Sequence, residues 1–360
     1  MALLEVKNLK TYYMTRSGAV KAVDDVSFNL EKGETLGIAG ESGCGKTTAC
    51  LSIMRMIQQP GKIVGGEILY NSTSKFQLPK TTKQKYKDLG KRILHPTKYQ
   101  VDKDESSGTI RILDLPVKQI QSIRGNRISM IFQGAMNALN PVHRIGNQIL
   151  EVIQIHEPGH DKDAAWQRVL DILETVGIDS SRARDYPHQL SGGMQQRALI
   201  AMALIGNPDI VIADEPVTAL DVIVQSQVLK ATKELQKKFN LAMIMVTHDL
   251  SVIAEICDSL AIMYAGKICE YGNLRTLYKT PKHPYTEALL SAFPSIRGPK
   301  GELVEIPGNL PDLRNPPPGC NFHPRCSKVM DICKVEEPII TPTEDGYVVC
   351  HLYQKHGKEK

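Results

Sequence analysis

The sequence lacks the long apolar runs that would carry a chain through a membrane. None of its stretches approaches the roughly 18 consecutive apolar residues that a transmembrane helix needs. The first residues, Met1 to Glu5, carry neither the basic flank nor the apolar core of a signal peptide. We therefore expect a cytoplasmic protein, and any link to a membrane would be peripheral and made through a partner.

The chain also lacks an excess of charge spread over its length. Nine Lys or Arg and four Asp or Glu fall between Asn71 and Gly108, so this segment carries the whole net charge of +5. The remainder is neutral, and we therefore expect no nucleic-acid partner. The segment at about 71–108 has no hydrophobic period and is predicted to be a surface insertion, with contact to lipid headgroups as the alternative.

Cysteine is sparse except near the end of the chain. Four of the eight cysteines are scattered, whereas the other four fall in one C-terminal segment: Cys320, Cys326, Cys333 and Cys350. Disulfides are disfavoured in a cytoplasmic chain, so this cluster suggests a metal site. Five, six and sixteen residues separate these cysteines, which differs from a C-x2-C zinc ribbon. The spacing alone leaves zinc and an iron–sulfur cluster equally open.

Short apolar runs between polar turns predict the strands of an α/β fold. Three of them have the length and continuous apolar character of parallel strands buried on both faces: 35–39, 210–213 and 242–246. Residues 4–6 and 22–28 favour strands at the N-terminus. The region at about 134–205 predicts mostly helices, and a Pro- and Gly-rich stretch near 294–318 predicts a linker.

A glycine-rich loop follows the first of the three buried strands. Residues 40–47, Gly-Glu-Ser-Gly-Cys-Gly-Lys-Thr, match the phosphate-binding pattern between a strand and a helix. Its glycines allow backbone N–H groups to face the phosphates, and the helix N-terminus adds positive potential. The residues expected to contact the nucleotide are Gly40, Ser42, Gly43, Cys44, Gly45, Lys46, Thr47 and Thr48. Lys46 would neutralise phosphate charge, and Thr47 would ligate Mg²⁺.

The apolar residues that follow the loop predict a helix reaching to Pro60. Cys50, Ile53, Met54 and Ile57 recur with helical spacing before Pro60 closes the pattern.

Two carboxylates end the buried run at 210–213. Asp214 is placed to hold Mg²⁺, and Glu215 to act as the general base that polarises the attacking water. The alternative is that both are solvent-exposed acidic residues at the end of a strand, without a catalytic role. The phosphate loop in the same chain makes the catalytic interpretation the stronger one.

A second anion site is indicated by Ser191, Gly192 and Gly193, which open a predicted helix without a lysine. Backbone amides and a hydroxyl at a helix N-terminus can bind a γ-phosphate. The order of loop, Leu-Ser-Gly-Gly-Met-Gln-Gln-Arg motif and Asp214-Glu215 resembles that of the ABC ATPase family. The resemblance covers nearly the whole chain except residues 71–108.

The resemblance implies roles for further residues. Gln133 is similar to the glutamine that touches Mg²⁺ or water and reports to a membrane partner. His248 is similar to the histidine that contacts the γ-phosphate, and Asp221, in Ala219-Leu220-Asp221, to the aspartate at the dimer seam. Tyr13 is the better candidate for stacking on adenine and Tyr12 the second.

The C-terminal part resembles the dipeptide and oligopeptide importer branch of the family. The similarity lies in Lys-His-Pro-Tyr-Thr-Glu-Ala-Leu-Leu at 282–290 and Gly-Cys-Asn-Phe-His-Pro-Arg-Cys at 319–326. In that branch the four C-terminal cysteines hold a [4Fe-4S] cluster, and the resemblance therefore favours iron–sulfur over zinc here.

The resemblance implies a RecA-like P-loop core with an antiparallel β edge, a helical subdomain at about 134–205 and a small metal-binding extension. The division expected is an ATPase domain at 1–285 and an extension at 286–360. The expected partners are a second, related ATPase subunit, two transmembrane permeases and an extracytoplasmic solute-binding protein. The ATPase would sit at the cytoplasmic face of the membrane.

Other functions remain open at this point. Importers of oligosaccharides or nickel use the same machinery as peptide importers. A non-transport ABC ATPase acting on ribosomes or DNA would usually have two fused cassettes or a long coiled coil, and neither is visible. A redox protein built on the cysteines would leave the ATPase motifs unexplained.

Overall fold

The computed structural model describes residues 2–72, 108–134, 138–218, 220–292 and 306–354. The strands are β1 Leu4–Thr15, β2 Gly18–Leu30, β3 Thr35–Ala39, β4 Gly61–Asn71, β5 Thr109–Arg111, β6 Ile128–Ile131, β7 Ile210–Asp214, β8 Ala242–Val246, β9 Ser259–Tyr264, β10 Lys267–Asn273, β11 Ile340–Pro342 and β12 Tyr347–Val349. The α-helices are α1 Lys46–Ile53, α2 Val117–Ile123, α3 Ile145–His156, α4 Lys162–Thr175, α5 Gly192–Leu204, α6 Val222–Phe239, α7 Leu250–Ile256, α8 Leu274–Lys279 and α9 Pro284–Ser291.

The central feature is an eight-stranded sheet in the order β11-β12-β10-β9-β3-β8-β7-β6. Neighbouring strands from β9 to β6 run parallel, whereas β10, β12 and β11 continue the sheet with antiparallel pairs. The strands β3, β7 and β8 are buried along their whole lengths. This confirms the three buried strands that their continuous apolar runs predict.

A second, four-stranded antiparallel sheet has the order β2-β1-β4-β5. Its inward side chains, such as Leu4, Leu9 and Phe28, pack on one face of the large sheet together with Ile38 and Ile244. The opposite face of the large sheet is covered by helices, including α3, α4 and α5. The two core clusters therefore sandwich the parallel strands and leave the strand ends free to form a site.

Helices α3, α4 and α5 fall within the helical region expected at about 134–205. Their starts are consistent with ordinary capping: Asp161 accepts a hydrogen bond from the Ala164 N–H, and Ser191 caps α5. Across the ranges that the structure describes, no helix combines the length and the apolar character required to span a bilayer.

The helix after the glycine-rich loop is shorter than its apolar pattern predicts. It ends at Ile53 instead of continuing to Pro60. Arg55 adopts a left-handed backbone with φ of 50°, and the Met56 N–H donates to the Leu51 carbonyl at 2.8 Å. This geometry is a Schellman motif, which satisfies the last carbonyls and turns the chain toward β4.

The predicted boundary between residues 285 and 286 falls inside α9. The C-terminal strand β12 pairs with β10, so the segment beyond the boundary joins the same sheet as the ATPase core. The two-part division itself stays a prediction. Most of the predicted insertion, residues 73–107, lies outside the described residues.

Candidate functional site

The glycine-rich loop runs from the end of β3 into α1, at the end of the parallel strands. Gly40 and Gly45 have φ of 151° and 109°, which L side chains rarely adopt. A Cβ at Gly40 would overlap the carbonyl oxygen of Met263, and one at Gly45 that of Ala22. Only glycine fits these two positions, and the loop is therefore packed against β9 and β2 as a fixed cradle.

Lys46, the first residue of α1, is only 6 % exposed. Its ammonium group donates to the carbonyl oxygens of Gly40 at 2.8 Å and Glu41 at 3.0 Å. It also lies 3.9 Å from the buried Cys44 sulfur. The lysine therefore folds back over the loop, where its charge faces the space that the loop encloses. Ser42 is exposed, whereas Thr47 and Thr48 are half-buried.

Asp214 and Glu215 stand beside the loop because β7 ends two strands away from β3 in the sheet. The Thr47 hydroxyl donates to an Asp214 carboxylate oxygen at 3.2 Å. Burial raises the pKa of the Asp214 carboxyl, Thr47 opposes this, and the neighbouring Glu215 raises it further. A buried carboxylate that pairs with a loop threonine forms an oxygen pair of the kind that Mg²⁺ prefers.

Glu215 is placed by an unusual backbone conformation. Its φ is 49°, and its N–H donates to the carbonyl of Val246, the last residue of β8, at 2.8 Å. This bond fixes the ends of β7 and β8 side by side. As a result, Glu215 and His248 come together although they are 33 positions apart in the sequence.

Three side chains converge on the Glu215 carboxylate. The Gln133 amide donates to Oε2 at 2.8 Å, the Thr218 hydroxyl donates to the same oxygen at 3.2 Å, and His248 Nδ1 lies 3.1 Å from Oε1. The Glu215 side chain is 14 % exposed and that of His248 is 61 % exposed. No role for Thr218 is predicted from the sequence, although it lies only three residues after Glu215.

Tyr13 and Tyr12 occupy neighbouring positions on β1 and differ in their contacts. The Tyr12 hydroxyl donates to Asp24 at 2.6 Å. Tyr13 pairs with Gly61 of β4, and its ring lies so close that a Cβ on Gly61 would stand 2.7 Å from it. Both rings are partly exposed. The Tyr13 ring is thus free of the polar bond that holds Tyr12.

The second anion motif lies at the start of α5. The Ser191 hydroxyl accepts a hydrogen bond from the Met194 N–H at 3.4 Å, and Gly193 faces Val224 of α6 so closely that a Cβ would lie 2.6 Å from it. Asp221 caps α6, accepting from the Val224 N–H at 2.9 Å. Gly193 of the motif therefore packs against α6. Ala219 lies outside the described residues.

The four C-terminal cysteines lie near one another. Burial, together with the neighbouring thiols of the group, raises the pKa of Cys320 and of Cys350 to about 11. The Cys320 N–H also donates to the Cys333 carbonyl at 2.9 Å. Within the described ranges, however, no three Cys, His, Asp or Glu side chains form a group that could hold a metal ion. The predicted metal site is therefore not shown.

The segment after residue 305 also reaches the glycine-rich loop, which the sequence did not predict. The Arg325 guanidinium binds both carboxylate oxygens of Glu41, the second residue of the loop, at 3.0 Å each. The Lys21 N–H of β2 donates to the Leu313 carbonyl at 3.0 Å. These contacts join positions nearly 300 residues apart, and no local pattern signals them.

Comparison with known proteins agrees with this architecture. A family model described as "ABC transporter" matches residues 23–95 and 98–218, and one described as "Oligopeptide/dipeptide transporter, C-terminal region" matches residues 269–333. The dimeric ATP-binding cassette MJ0796, solved in a post-hydrolysis state bound to ADP and phosphate, is 25 % identical with a TM-score of 0.57. The match covers 76 % of this chain and 99 % of that one.

Curated relatives match over nearly the full length. The oligopeptide transport ATP-binding protein AppD of Bacillus subtilis is 41 % identical, with 99 % of each chain covered. OppD of Salmonella typhimurium is 40 % identical over 94 % of this chain and 90 % of the relative, and DppD of Escherichia coli is 38 % identical over 96 % and 95 %. The chain therefore belongs to the family of ATP-hydrolysing subunits of oligopeptide and dipeptide ABC transporters.

Proposed function

We propose that this ATPase binds its nucleotide in the cradle formed by the glycine-rich loop and hydrolyses it with Glu215 as general base. The single observation that carries the proposal is the convergence of Gln133, Thr218 and His248 on the Glu215 carboxylate beside the Asp214–Thr47 pair. A carboxylate held by polar side chains on several sides has a fixed direction, and a base that must act on one water molecule requires such a fixed direction.

The other residues of the cradle have complementary roles. Lys46 and the loop amides neutralise the phosphates, while Thr47, Asp214 and Gln133 would hold Mg²⁺. Magnesium supplies charge that offsets the charge developing on the phosphates. His248, which is 61 % exposed, would contact the γ-phosphate, and the partly exposed Tyr13 ring would stack on the adenine.

The site is completed by a second subunit. The motif at Ser191, Gly192 and Gly193 opens α5 with its N-terminal amides, which suits a phosphate, and within the chain Gly193 packs against Val224 of α6. In the proposed dimer it faces the γ-phosphate bound by the partner ATPase, and Asp221 lies at the seam between them. A related but different ATPase is the proposed partner.

The complete transporter is an importer of dipeptides or oligopeptides. The relatives are named as ATP-binding proteins of oligopeptide and dipeptide transport, and the match at 269–333 is to the C-terminal region of that group. By analogy, two permease subunits form the membrane path and an extracytoplasmic protein delivers the solute. The ATPase attaches peripherally at the cytoplasmic face. Oligosaccharides and nickel are the alternative solutes.

Growth of a deletion strain tests the solute class. Cells lacking this chain but keeping its partners are expected to lose growth when a required amino acid is supplied only as a short peptide. The wild-type chain should restore that growth, whereas free amino acid should support both strains. Normal growth on peptides, combined with loss of uptake of an oligosaccharide or of nickel, would contradict the peptide assignment.

We also propose that residues 286–360 form an extension in which Cys320, Cys326, Cys333 and Cys350 hold a [4Fe-4S] cluster. The donor set fits, because four thiols of one segment lie near one another and thiolates are the ligands of such clusters. A cluster spreads its cysteines over four irons, so they need not converge on one point as ligands of a single ion do. The cluster would cross-link and so stabilise a segment that has little apolar core of its own.

Metal analysis tests this extension. Protein purified without air is expected to be brown and to contain about four irons per chain, whereas the Cys326→Ser variant should lose most of them. Cys257→Ser, a buried cysteine outside the group, is the matched control and should keep its iron. Stoichiometric zinc without iron, in protein made anaerobically with iron supplied, would overturn the cluster.

A further inference from the structure

A salt bridge joins the C-terminal extension to the second residue of the glycine-rich loop. Arg325 binds both carboxylate oxygens of Glu41, each at 3.0 Å. The Glu41 N–H donates in addition to the hydroxyl of Tyr285, at 3.0 Å, from α9. Side chain and backbone of this one loop residue are thus both held by residues from the C-terminal part of the chain, Arg325 and Tyr285.

The arginine is itself held in place by the extension and by β9. Its side chain is only 7 % exposed, against 27 % for Glu41. Its Nε donates to the Pro307 carbonyl at 2.7 Å, and its guanidinium lies 5.7 Å from the centre of the Tyr264 ring. Both bonds to Glu41 come from one guanidinium nitrogen, Nη1, of an arginine that its other contacts already order. The pair therefore loses little entropy on forming.

Glu41 also connects to the groups that receive the phosphates. Its carbonyl accepts from the Lys46 ammonium at 3.0 Å and from the Cys44 N–H at 3.2 Å. Glu41 also places a negative charge in a loop that is proposed to bind the polyanionic phosphates of the nucleotide. An unpaired carboxylate there would repel the phosphates and could draw the lysine toward itself.

We propose that Arg325 is a positioning residue for nucleotide binding: it neutralises Glu41 and holds it, and so keeps the loop and Lys46 arranged for phosphates. The inference rests on the proposed ATP site and adds to it a contribution from the extension. It predicts an effect on the binding of nucleotide and little effect on the chemical step, because Arg325 is not among the groups around Glu215.

The test compares nucleotide affinity and turnover in four variants of the full-length chain, assembled with its partners. Arg325→Gln is expected to raise the dissociation constant for ATP and the KM about tenfold, with kcat changed less than about threefold. Adding Glu41→Gln to it removes the repelling charge and should recover most of the affinity. Arg325→Lys, which keeps the charge but loses the Nε donor that anchors the side chain to the Pro307 carbonyl, should weaken binding about threefold.

Arg314→Gln is the matched control. Arg314 lies in the same segment, is 43 % exposed and pairs with Asp312, so its removal changes the net charge equally without touching the loop. Its dissociation constant for ATP should equal that of the wild type. Thermal unfolding of each variant identifies any that do not fold. If Arg325→Gln does not fold, the comparison of Arg325→Lys with the wild type replaces it.

The outcomes separate this inference from the proposed site. Wild-type affinity in Arg325→Gln or in Arg325→Lys would overturn the positioning role, as would a double variant no tighter than Arg325→Gln alone. A drop in kcat with unchanged KM would also overturn it. If the wild-type complex failed to bind ATP, or bound it equally well with Lys46→Ala, the proposed site itself would be wrong.

Discussion

Replacing Glu215 with Gln is expected to lower kcat for ATP hydrolysis at least about 100-fold while the affinity for ATP stays near that of the wild type. The amide keeps the shape of the side chain and can still bond to Gln133 and His248, but it cannot accept the proton of the attacking water. The groups that contact the phosphates, led by Lys46, are unchanged. Steady-state hydrolysis and equilibrium nucleotide binding measure the two effects separately.

Glu67→Gln provides the matched control for this prediction. Glu67 lies on β4, pairs with Arg111 at 3.0 Å and is 47 % exposed, so the same change of charge occurs away from the site. Its turnover should match that of the wild type. Hydrolysis by Glu215→Gln at a rate near the wild-type rate would exclude Glu215 as the base.

Replacing Lys46 with Ala is expected to weaken ATP binding itself, by about ten- to a hundredfold. The ammonium is nearly buried and bonded to the loop carbonyls of Gly40 and Glu41, so its charge is fixed at the loop proposed to hold the phosphates, and Ala removes that charge. The variant should be rescued only in part by raising the ATP concentration, because the same charge also stabilises the transition state.

Binding of a fluorescent ATP analogue to the intact complex measures this effect. Lys7→Ala, on the exposed side of β1 with 49 % of its side chain accessible, is the matched control and should bind as the wild type does. Equal affinity in Lys46→Ala and Lys7→Ala would contradict the placement of the phosphates in the loop.

The strands could be predicted from the sequence because their signal is local. The apolar runs at 35–39 and 242–246 coincide with β3 and β8, and the carboxylates after residue 213 do end a strand. The length of α1 could not be predicted in the same way. Its apolar spacing continues beyond Ile53, but the left-handed Arg55 ends the helix, and no glycine marks that position.

The site was predictable in part for the same reason. The loop at 40–47 and the pair Asp214-Glu215 are short contiguous motifs, so the sequence alone identifies them as site residues. Resemblance to a family assigned Gln133 and His248, and the structure brings both to Glu215. The pairing of Glu41 with Arg325 spans 284 positions and depends on how the C-terminal segment packs, so no pattern in the sequence announces it.

Peptide uptake into vesicles tests the central claim most directly. The complex of this chain, its partner ATPase and the permeases is reconstituted with ATP on the side of the ATPases, and a labelled short peptide is delivered with the binding protein on the other side. The account predicts ATP-dependent accumulation of peptide by the wild type and none above background when Glu215→Gln replaces it. Equal accumulation by both complexes, or hydrolysis without accumulation of any peptide tried, would contradict the claim.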